Sequence, residues 1–285
     1  LLPREALLEG SRRRDELSPL LEAGEAALRT WEPQWTVLLE PALREEVEQR
    51  LAGLSELELD SWGGYPGAER RRLLLQRRDA AQPLQSLDAG LLGLEISGNF
   101  LFDPAEPQDL RAGIQAAAIA GVDASVLGAG SPQGGQPVPE GLAQAGAIGD
   151  LWIRGDRGGQ GIVLAPLARQ LDGREGLVRT VPVRFEARPI AELQLPAQRL
   201  PKRLQSVEAS LRLDAVASAG FGLSRSRMAE RIRQGAVRID WQVVTSPSRE
   251  LVVGERVQLE GRGELTIASL QATQRGRWRV EMERR

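Results

Sequence analysis

Apolar side chains recur at helical spacing in two neighbouring stretches, residues 213–223 and 228–232. Ser210 precedes the first stretch and Ser224 the second, and a serine at such a position can accept a hydrogen bond from a free amide of the first turn. Gly235 follows the second stretch, where a helix commonly ends with a left-handed residue. The pattern predicts two short helices, capped at Ser210 and Ser224.

Beyond the second helix, the hydrophobic pattern changes to strict alternation. Val237 and Ile239 flank Arg238, which predicts a strand with an apolar inward face and a basic outward face. Asp240 and Trp241 follow where a tight hairpin turn is expected, and tryptophan is sterically unfavourable where φ is positive. We therefore expect a loop of another shape, with Trp241 folded back onto the strands. An exposed stacking platform for a base is the alternative.

Residues 1–80 start with helical patterns and continue as strand, glycine-rich turn and strand. The pair Ser18-Pro19 predicts the start of one helix, and residues 41–52 predict another. The turn at Gly63-Gly64 lacks the Gly-Lys-Ser/Thr ending of a phosphate-binding P-loop, so we interpret it as a tight turn. The alternative is an RNA contact, additional to the one considered below for the last third of the chain. It would use four neighbouring side chains: Tyr65, Arg70, Arg71 and Arg72.

Residues 81–198 predict a central α/β domain with an RRM-like arrangement. A helix is expected from Asp109 to Ala120, a hairpin around residues 155–159, a helix from Pro166 and a last strand at 181–185. Glycine and proline supply eight of the fourteen residues from 128 to 141, which predicts a mobile insertion.

Composition removes several classes of chemistry. The 285 residues include no cysteine and no histidine, which excludes disulfides, thiolate nucleophiles, imidazole acid/base catalysis and thiol or imidazole metal ligands. We predict no metal, no cofactor and no catalytic residue. The sequence has no run of about 20 apolar residues, so we expect a soluble protein of the cytoplasm, or of the chloroplast stroma if it is plastid-derived.

Charge is distributed unevenly along the chain. Residues 1–198 carry 20 basic and 29 acidic side chains, whereas residues 199–285 carry 17 basic and 10 acidic ones. A net charge of +7 in the last third, beside −9 in the rest, indicates that the last third meets a polyanion. On a helical wheel, Arg227 and Arg231 fall opposite the apolar face, which suits a surface that binds phosphates.

The segment from Arg212 to about Leu259 resembles the S4 RNA-binding domain. The resemblance is carried by Arg212-Leu213-Asp214, Gly220, Ser224-Arg225-Ser226, Ile232, Gly235, Val237 and Ile239. In that family a unit of two helices and a strand docks on structured RNA. The RNA-facing positions that match, together with the neighbouring Arg233, make the candidate site Arg212, Ser224, Arg225, Arg227, Arg231, Arg233 and Arg238.

A second resemblance spans nearly the whole chain. The segments GGYPGAERRRL, LEISGNFLFDP and IGDLWIRGDRGGQ, in this order before an S4 unit, resemble the YlmH-like family and its cyanobacterial and plastid branch, the photosystem II S4 domain proteins. Members carry a His-Arg-Asp triplet where this chain has Pro107-Gln108-Asp109. Any role of that histidine or arginine is therefore lost or moved here.

These resemblances imply a non-enzymatic factor that binds ribosomal RNA and tRNA on the large subunit during rescue of stalled translation, with a link to photosystem II in the photosynthetic branch. We expect a multidomain α/β (α+β) fold with domains at 1–80, 81–198 and 205–270 and a strand extension at 271–285. Two alternatives stay open: an assembly adaptor that binds a protein through the acidic first two thirds, and an RNA-modifying enzyme. The Arg212-Leu213-Asp214 triplet is similar to one in pseudouridine synthases, but here it opens a predicted helix.

Overall fold

The computed structural model describes residues 2–120, 146–197, 201–259 and 262–285. The predicted insertion at 128–141 lies outside the described residues. The chain divides into two compact units, Leu1–Ala197 and Gln198–Arg285. Each combines helices with antiparallel sheets, which confirms the predicted mixed class. No helix among the described residues is both long and apolar enough to cross a membrane.

Three helices cover a small sheet in the first part of the first unit. The elements are α1 (Arg4–Leu8), α2 (Arg14–Thr30), β1 (Gln34–Trp35), α3 (Pro41–Leu51), β2 (Leu57–Trp62) and β3 (Arg72–Arg77). The strands are antiparallel in the order β1-β3-β2. Leu17 and Leu21 of α2 pack with Leu73 and Leu75 of β3 in one leucine-rich core.

Helix α2 starts four residues before the predicted pair Ser18-Pro19, so that prediction is wrong. Pro19 lies inside the helix, and the Ser18 hydroxyl donates a hydrogen bond to the Arg14 carbonyl instead of capping the first turn. Leu17 is fully buried and fixes the earlier turn against the core. Packing therefore outweighs the single backbone hydrogen bond that a proline removes near a helix start.

A five-stranded sheet forms the rest of the first unit. Its elements are β4 (Leu91–Gly98), α4 (Pro107–Ala120), β5 (Ile148–Ile153), β6 (Gly158–Leu164), α5 (Ala165–Leu171), β7 (Glu175–Val178) and β8 (Val181–Arg188). Neighbouring strands are antiparallel in the order β5-β6-β4-β8-β7. Leu110 of α4 and Ala168 of α5 pack with Ile96 and Phe185, so both helices cover the same face.

The second unit is a six-stranded antiparallel sheet with a helix pair. Its elements are β9 (Lys202–Glu208), α6 (Leu213–Phe221), α7 (Arg225–Arg233), β10 (Val237–Ile239), β11 (Gln242–Val243), β12 (Arg256–Leu259), β13 (Gly263–Ala272) and β14 (Trp278–Arg284). The strand order is β11-β10-β12-β13-β14-β9. Val216, Met228 and Ile232 of the helices pack with Leu265 and Val280 of the sheet.

Helix α6 begins at Leu213, so the predicted cap at Ser210 is wrong. The Leu251 amide donates to the Leu211 carbonyl at 2.9 Å, and the Leu213 amide donates to the Arg249 carbonyl at 2.7 Å. These contacts hold the chain extended through Arg212, which is the residue before the first helical turn. The predicted cap at Ser224 is confirmed, because its side chain accepts a hydrogen bond from the Arg227 amide.

The turn at Asp240-Trp241 keeps the conformation that the sequence argues against. Asp240 has a φ of 44° and Trp241 a φ of 67°, so both residues adopt the left-handed region that two-residue hairpins need. The Trp241 amide donates to Gln258 Oε1 at 3.2 Å, and Asp240 accepts from Arg256 Nε at 3.0 Å. These side-chain contacts from β12 hold the strained pair in place, and the expectation of another loop shape is wrong.

Candidate nucleic-acid interface

Helix α7 separates an apolar face from a basic one. Met228, Ala229 and Ile232 are buried, whereas Arg227 and Arg231 are exposed one helical turn apart. Neither guanidinium forms an ion pair with any residue in the described part of the chain. The helix therefore presents two adjacent positive charges, and no carboxylate of the described residues pairs with either of them.

The start of α7 is joined to α6 by a buried carboxylate. Asp214 Oδ1 accepts from Arg212 Nε at 3.1 Å and from Arg225 Nη2 at 3.2 Å, and Asp214 Oδ2 accepts from Arg225 Nε at 3.1 Å. The Asp214 side chain is only 7% exposed, but those of Arg212 and Arg225 are 39% and 52% exposed. The carboxylate thus fixes two guanidiniums while leaving an edge of each open to solvent.

The two arginines favour the charged form of Asp214. Burial alone would raise its pKa, but hydrogen bonds from Arg212 and Arg225 hold the pKa below the usual aspartate value. The Arg212 pKa is raised by the same hydrogen bond. Sequence reasoning placed Asp214 in the first helical turn only and missed this role. An acidic residue between two basic positions of a basic segment is the signal that could have indicated it.

The other candidate residues do not all share this surface. Ser224 caps α7, and Arg233 is exposed near the end of the same helix. Arg238 is exposed between Val237 and Ile239, whose side chains join the core beneath the helices. Because side chains alternate along a strand, Arg238 points away from the helix pair. The apolar inward face and the basic outward face of β10 are confirmed, and the sheet does not extend the α7 surface at Arg238.

Trp241 is half-buried at the β10–β11 turn. Arg256 lies over its ring, with 6.0 Å from the guanidinium carbon to the ring centroid. The indole Nε1 is buried and has no hydrogen-bond partner among the described residues. The ring is neither a full member of the core nor a free platform, since a guanidinium already covers one of its sides.

The four residues of the possible second contact hold the first unit together. Tyr65 is buried at 8% exposure, and its hydroxyl donates to Asp150 Oδ2 at 2.8 Å. The same carboxylate accepts from the amides of Glu69 and Arg70 at 2.7 and 2.9 Å. Asp150, in β5, thereby ties the glycine-rich turn to the five-stranded sheet. Burial and the neighbouring charge of Asp150 raise the pKa of Tyr65 well above its usual value.

The three arginines beside Tyr65 also have internal partners. Arg70 pairs with Glu40 at 2.7 Å, and Arg71 donates to the carbonyls of Ala68 and Pro66 at 2.7 and 2.8 Å. Arg72 donates to the carbonyls of Thr36 and Ala89, and burial lowers its pKa to about 10. These contacts give the three arginines a structural role within the first unit.

The family model described as "YlmH, N-terminal" matches residues 12–80, and the model described as "S4 domain" matches residues 211–257. The chain therefore carries a YlmH N-terminal domain and an S4 domain. Arg212, Arg225, Arg227, Arg231 and Arg238 all fall within the S4 match. The four residues around Tyr65 fall within the YlmH N-terminal match.

Two known proteins are similar to parts of the chain. "Ribosome-associated protein quality control protein P2" of Bacillus subtilis (strain 168) is 31% identical over 103 residues, which is 36% of this chain and 40% of that protein. The match thus spans well under two thirds of the curated relative. The solved structure "Cell division protein ylmH from Streptococcus pneumoniae" aligns at 22% identity and a TM-score of 0.37, over 62% of this chain and 93% of that one.

Proposed function

We propose that this protein binds structured RNA through its S4 domain and that its target is RNA of the large ribosomal subunit. The observation that carries the proposal is the basic surface of the helix pair. Arg227 and Arg231 lack carboxylate partners among the described residues, and Asp214 holds Arg212 and Arg225 at the α6–α7 junction. Such guanidiniums suit bidentate contacts with phosphates.

The charge of the unit supports a polyanionic partner. Residues 199–285 carry a net charge of +7, and the first 198 residues carry −9. A long-range field of this sign raises the encounter rate with nucleic acid. The Bacillus subtilis relative supports a ribosomal target, because its name describes a ribosome-associated quality control protein. The proposal implies a cytoplasmic location and a role in rescue of stalled translation, with rRNA and tRNA as the RNA partners.

We propose a binding role and not catalysis. The acid of the triplet Arg212-Leu213-Asp214 has both oxygens engaged by guanidiniums, which supports a positioning role for it. The link to photosystem II rests on the sequence resemblance alone, and no contact among the described residues favours it over RNA binding.

The experiment is a binding titration with purified large ribosomal subunits and, separately, with deproteinised large-subunit rRNA over a series of salt concentrations. The test variant is Arg227→Gln with Arg231→Gln, because glutamine keeps the helix propensity and removes only charge. The matched control is Arg169→Gln with Arg174→Gln, which removes two exposed charges from the first unit.

The test variant should bind about tenfold more weakly, and its slope of log affinity against log salt should fall by about two. The control should match the wild type. Equal binding of the test variant and the wild type to both targets would refute the proposal for this surface.

A further inference from the structure

The hairpin between β13 and β14 carries a second basic surface that lies beyond the S4 match. Arg275, Arg277 and Arg279 line one open groove at the hairpin tip, together with Gln271 and Gln274. All three arginines are exposed, and none has a carboxylate partner among the described residues. The groove lining contains no acidic side chain, and three guanidiniums lie along it.

The tip that presents these arginines is well ordered by hydrogen bonds. The Thr273 amide donates to the Arg277 carbonyl at 2.7 Å, and the Gly276 amide donates to the Thr273 carbonyl at 3.1 Å. The Thr273 hydroxyl also donates to the Arg277 carbonyl and accepts from the Arg277 amide, at 3.0 and 3.1 Å. Gly276 has a φ of +68°, which is the left-handed position that follows a type I turn in a three-residue hairpin loop. The backbone therefore presents the arginines in a defined geometry.

The hairpin belongs to the sheet against which α6 and α7 pack. Its tip lies at the opposite end of β13 and β14 from the C-terminal end of α6. A Cβ on Gly220 of α6 would meet the Leu265 side chain, so this end of the helix packs at the start of β13. Leu265 pairs with Arg284, whereas Ala272 pairs with Trp278 next to the tip. Seven residues of strand separate the two positions, about 23 Å at 3.3 Å per residue.

The chemistry of the groove fits a phosphodiester backbone better than an acidic protein surface. Guanidinium, amide and hydroxyl groups donate hydrogen bonds to phosphate oxygens, and alternate strand residues repeat about every 6.6 Å, comparable with neighbouring phosphates along one strand. Protein interfaces depend on buried aromatic or large apolar anchors. The groove offers only Val207, which is 50% exposed.

We propose that the β13–β14 hairpin tip is a second RNA-backbone site, in addition to the arginines of α7. The inference rests on the proposed function, because it assumes that the S4 unit meets RNA. It adds to that function a contact that does not depend on the RNA sequence. Guanidiniums that bind phosphates do not contact the base edges.

The first experiment measures binding of deproteinised large-subunit rRNA to the full chain over a salt series. Arg277→Gln with Arg279→Gln should weaken binding about tenfold and lower the salt slope by about two. Arg169→Gln with Arg174→Gln is the matched loss of charge and should leave binding unchanged. Because the Arg277 and Arg279 side chains are exposed, the hairpin variant should unfold at the same temperature as the wild type. Equal unfolding temperatures would show that a loss of binding does not come from a folding defect.

The outcomes separate the two proposals. If Arg227→Gln with Arg231→Gln loses affinity and the hairpin variant does not, the second site is refuted and the S4 surface stands. If the hairpin variant loses affinity and the helix variant does not, the second site is supported and the helix surface is refuted. A wild-type chain that binds neither rRNA nor large subunits refutes both.

The second experiment locates the contact. Because the chain has no cysteine, Gln274→Cys gives one attachment point for a benzophenone maleimide at the tip. Gln85→Cys, an exposed glutamine of the first unit, is the control. On irradiation with purified large ribosomal subunits, the tip probe should crosslink to rRNA and the control should not. Crosslinks to ribosomal protein alone would refute the assignment to an RNA backbone.

Discussion

The Asp214 carboxylate of α6 accepts two hydrogen bonds from the Arg225 guanidinium of α7, at 3.1 and 3.2 Å. A second guanidinium, from Arg212, reaches the same two oxygens at 3.1 and 3.2 Å. The three side chains together carry one net positive charge, and one buried acid therefore sets the orientation of two candidate RNA-binding residues.

Replacement of Asp214 should lower the stability of the second unit. Asp214→Asn leaves two guanidiniums without their charged acceptor, and hydrogen bonds to charged groups contribute about 1.5–3 kcal/mol each. We expect a loss of about 1–3 kcal/mol in the free energy of unfolding by urea, and weaker rRNA binding because Arg212 and Arg225 lose their fixed geometry. Glu230→Gln, an exposed acid on α7, is the matched control and should change stability by less than about 0.5 kcal/mol. An equal effect of both substitutions would contradict the role assigned to Asp214.

The contribution of Asp214 should depend on pH in a defined direction. Its pKa in the folded protein is lower than in the unfolded chain, so protonation favours unfolding. The stabilisation is fully present above the unfolded aspartate value of about 3.9 and is lost as pH falls through the lower folded value. The stability difference between the wild type and Asp214→Asn should thus be constant from pH 5 to 8 and narrow under pH 4. Urea titrations at several pH values measure this, and a difference that grows under pH 4 would contradict it.

Tyr65→Phe should destabilise the first unit without changing RNA binding. The substitution removes the hydroxyl that donates to Asp150 at 2.8 Å and leaves the two backbone donors of that carboxylate in place. Loss of one such hydrogen bond corresponds to about 1–2 kcal/mol. Thermal unfolding measures the first effect and rRNA titration the second. A fall in rRNA affinity with unchanged stability would restore Tyr65 as a candidate RNA contact.

Gly155, in the β5–β6 turn, and Gly158, the first residue of β6, should respond differently to alanine. Gly158 has a φ of +126°, and a Cβ there would lie 1.9 Å from the Ile96 carbonyl oxygen, so Gly158→Ala should cost about 3 kcal/mol or more. Gly155 has a φ of +60° and no heavy atom within 4 Å of an added Cβ. Gly155→Ala should cost about 1 kcal/mol, the strain of the left-handed region alone. Similar unfolding midpoints for the two variants would contradict the close approach at Gly158.

Local periodicity was sufficient to predict the helix pair but not where α6 begins. Met228, Ala229 and Ile232 recur at helical spacing, and all three are buried in α7. The start of α6 depends on contacts of Leu211 and Leu213 with the segment around Arg249, about 40 residues later in the chain. A non-local pairing of this kind leaves no signature in a short stretch of sequence. The cap at Ser210 was therefore predicted from the preference of serine for this position alone.

The turn at Asp240-Trp241 and the arginines near Tyr65 show two other limits of sequence reasoning. Steric preference argues against Trp241 at positive φ, but Gln258 and Arg256 on the neighbouring strand hold the turn in that conformation. Tyr65 and Arg72 have side chains typical of an RNA contact, yet Asp150, Thr36 and Ala89 engage them inside the fold. Residue type alone does not distinguish a surface cation from one that donates to backbone carbonyls.

The pairing of β9 with β14 determines how the second unit can be re-engineered. Lys202 and Arg284 are direct partners in neighbouring antiparallel strands, so the first and last strands of the unit bring its two ends side by side. A short linker could join those ends and a new pair of termini could open at the Thr273–Arg277 loop without rerouting any strand. Because the two ends are neighbours, the whole sheet and its helix pair could also be inserted into a surface loop of another protein.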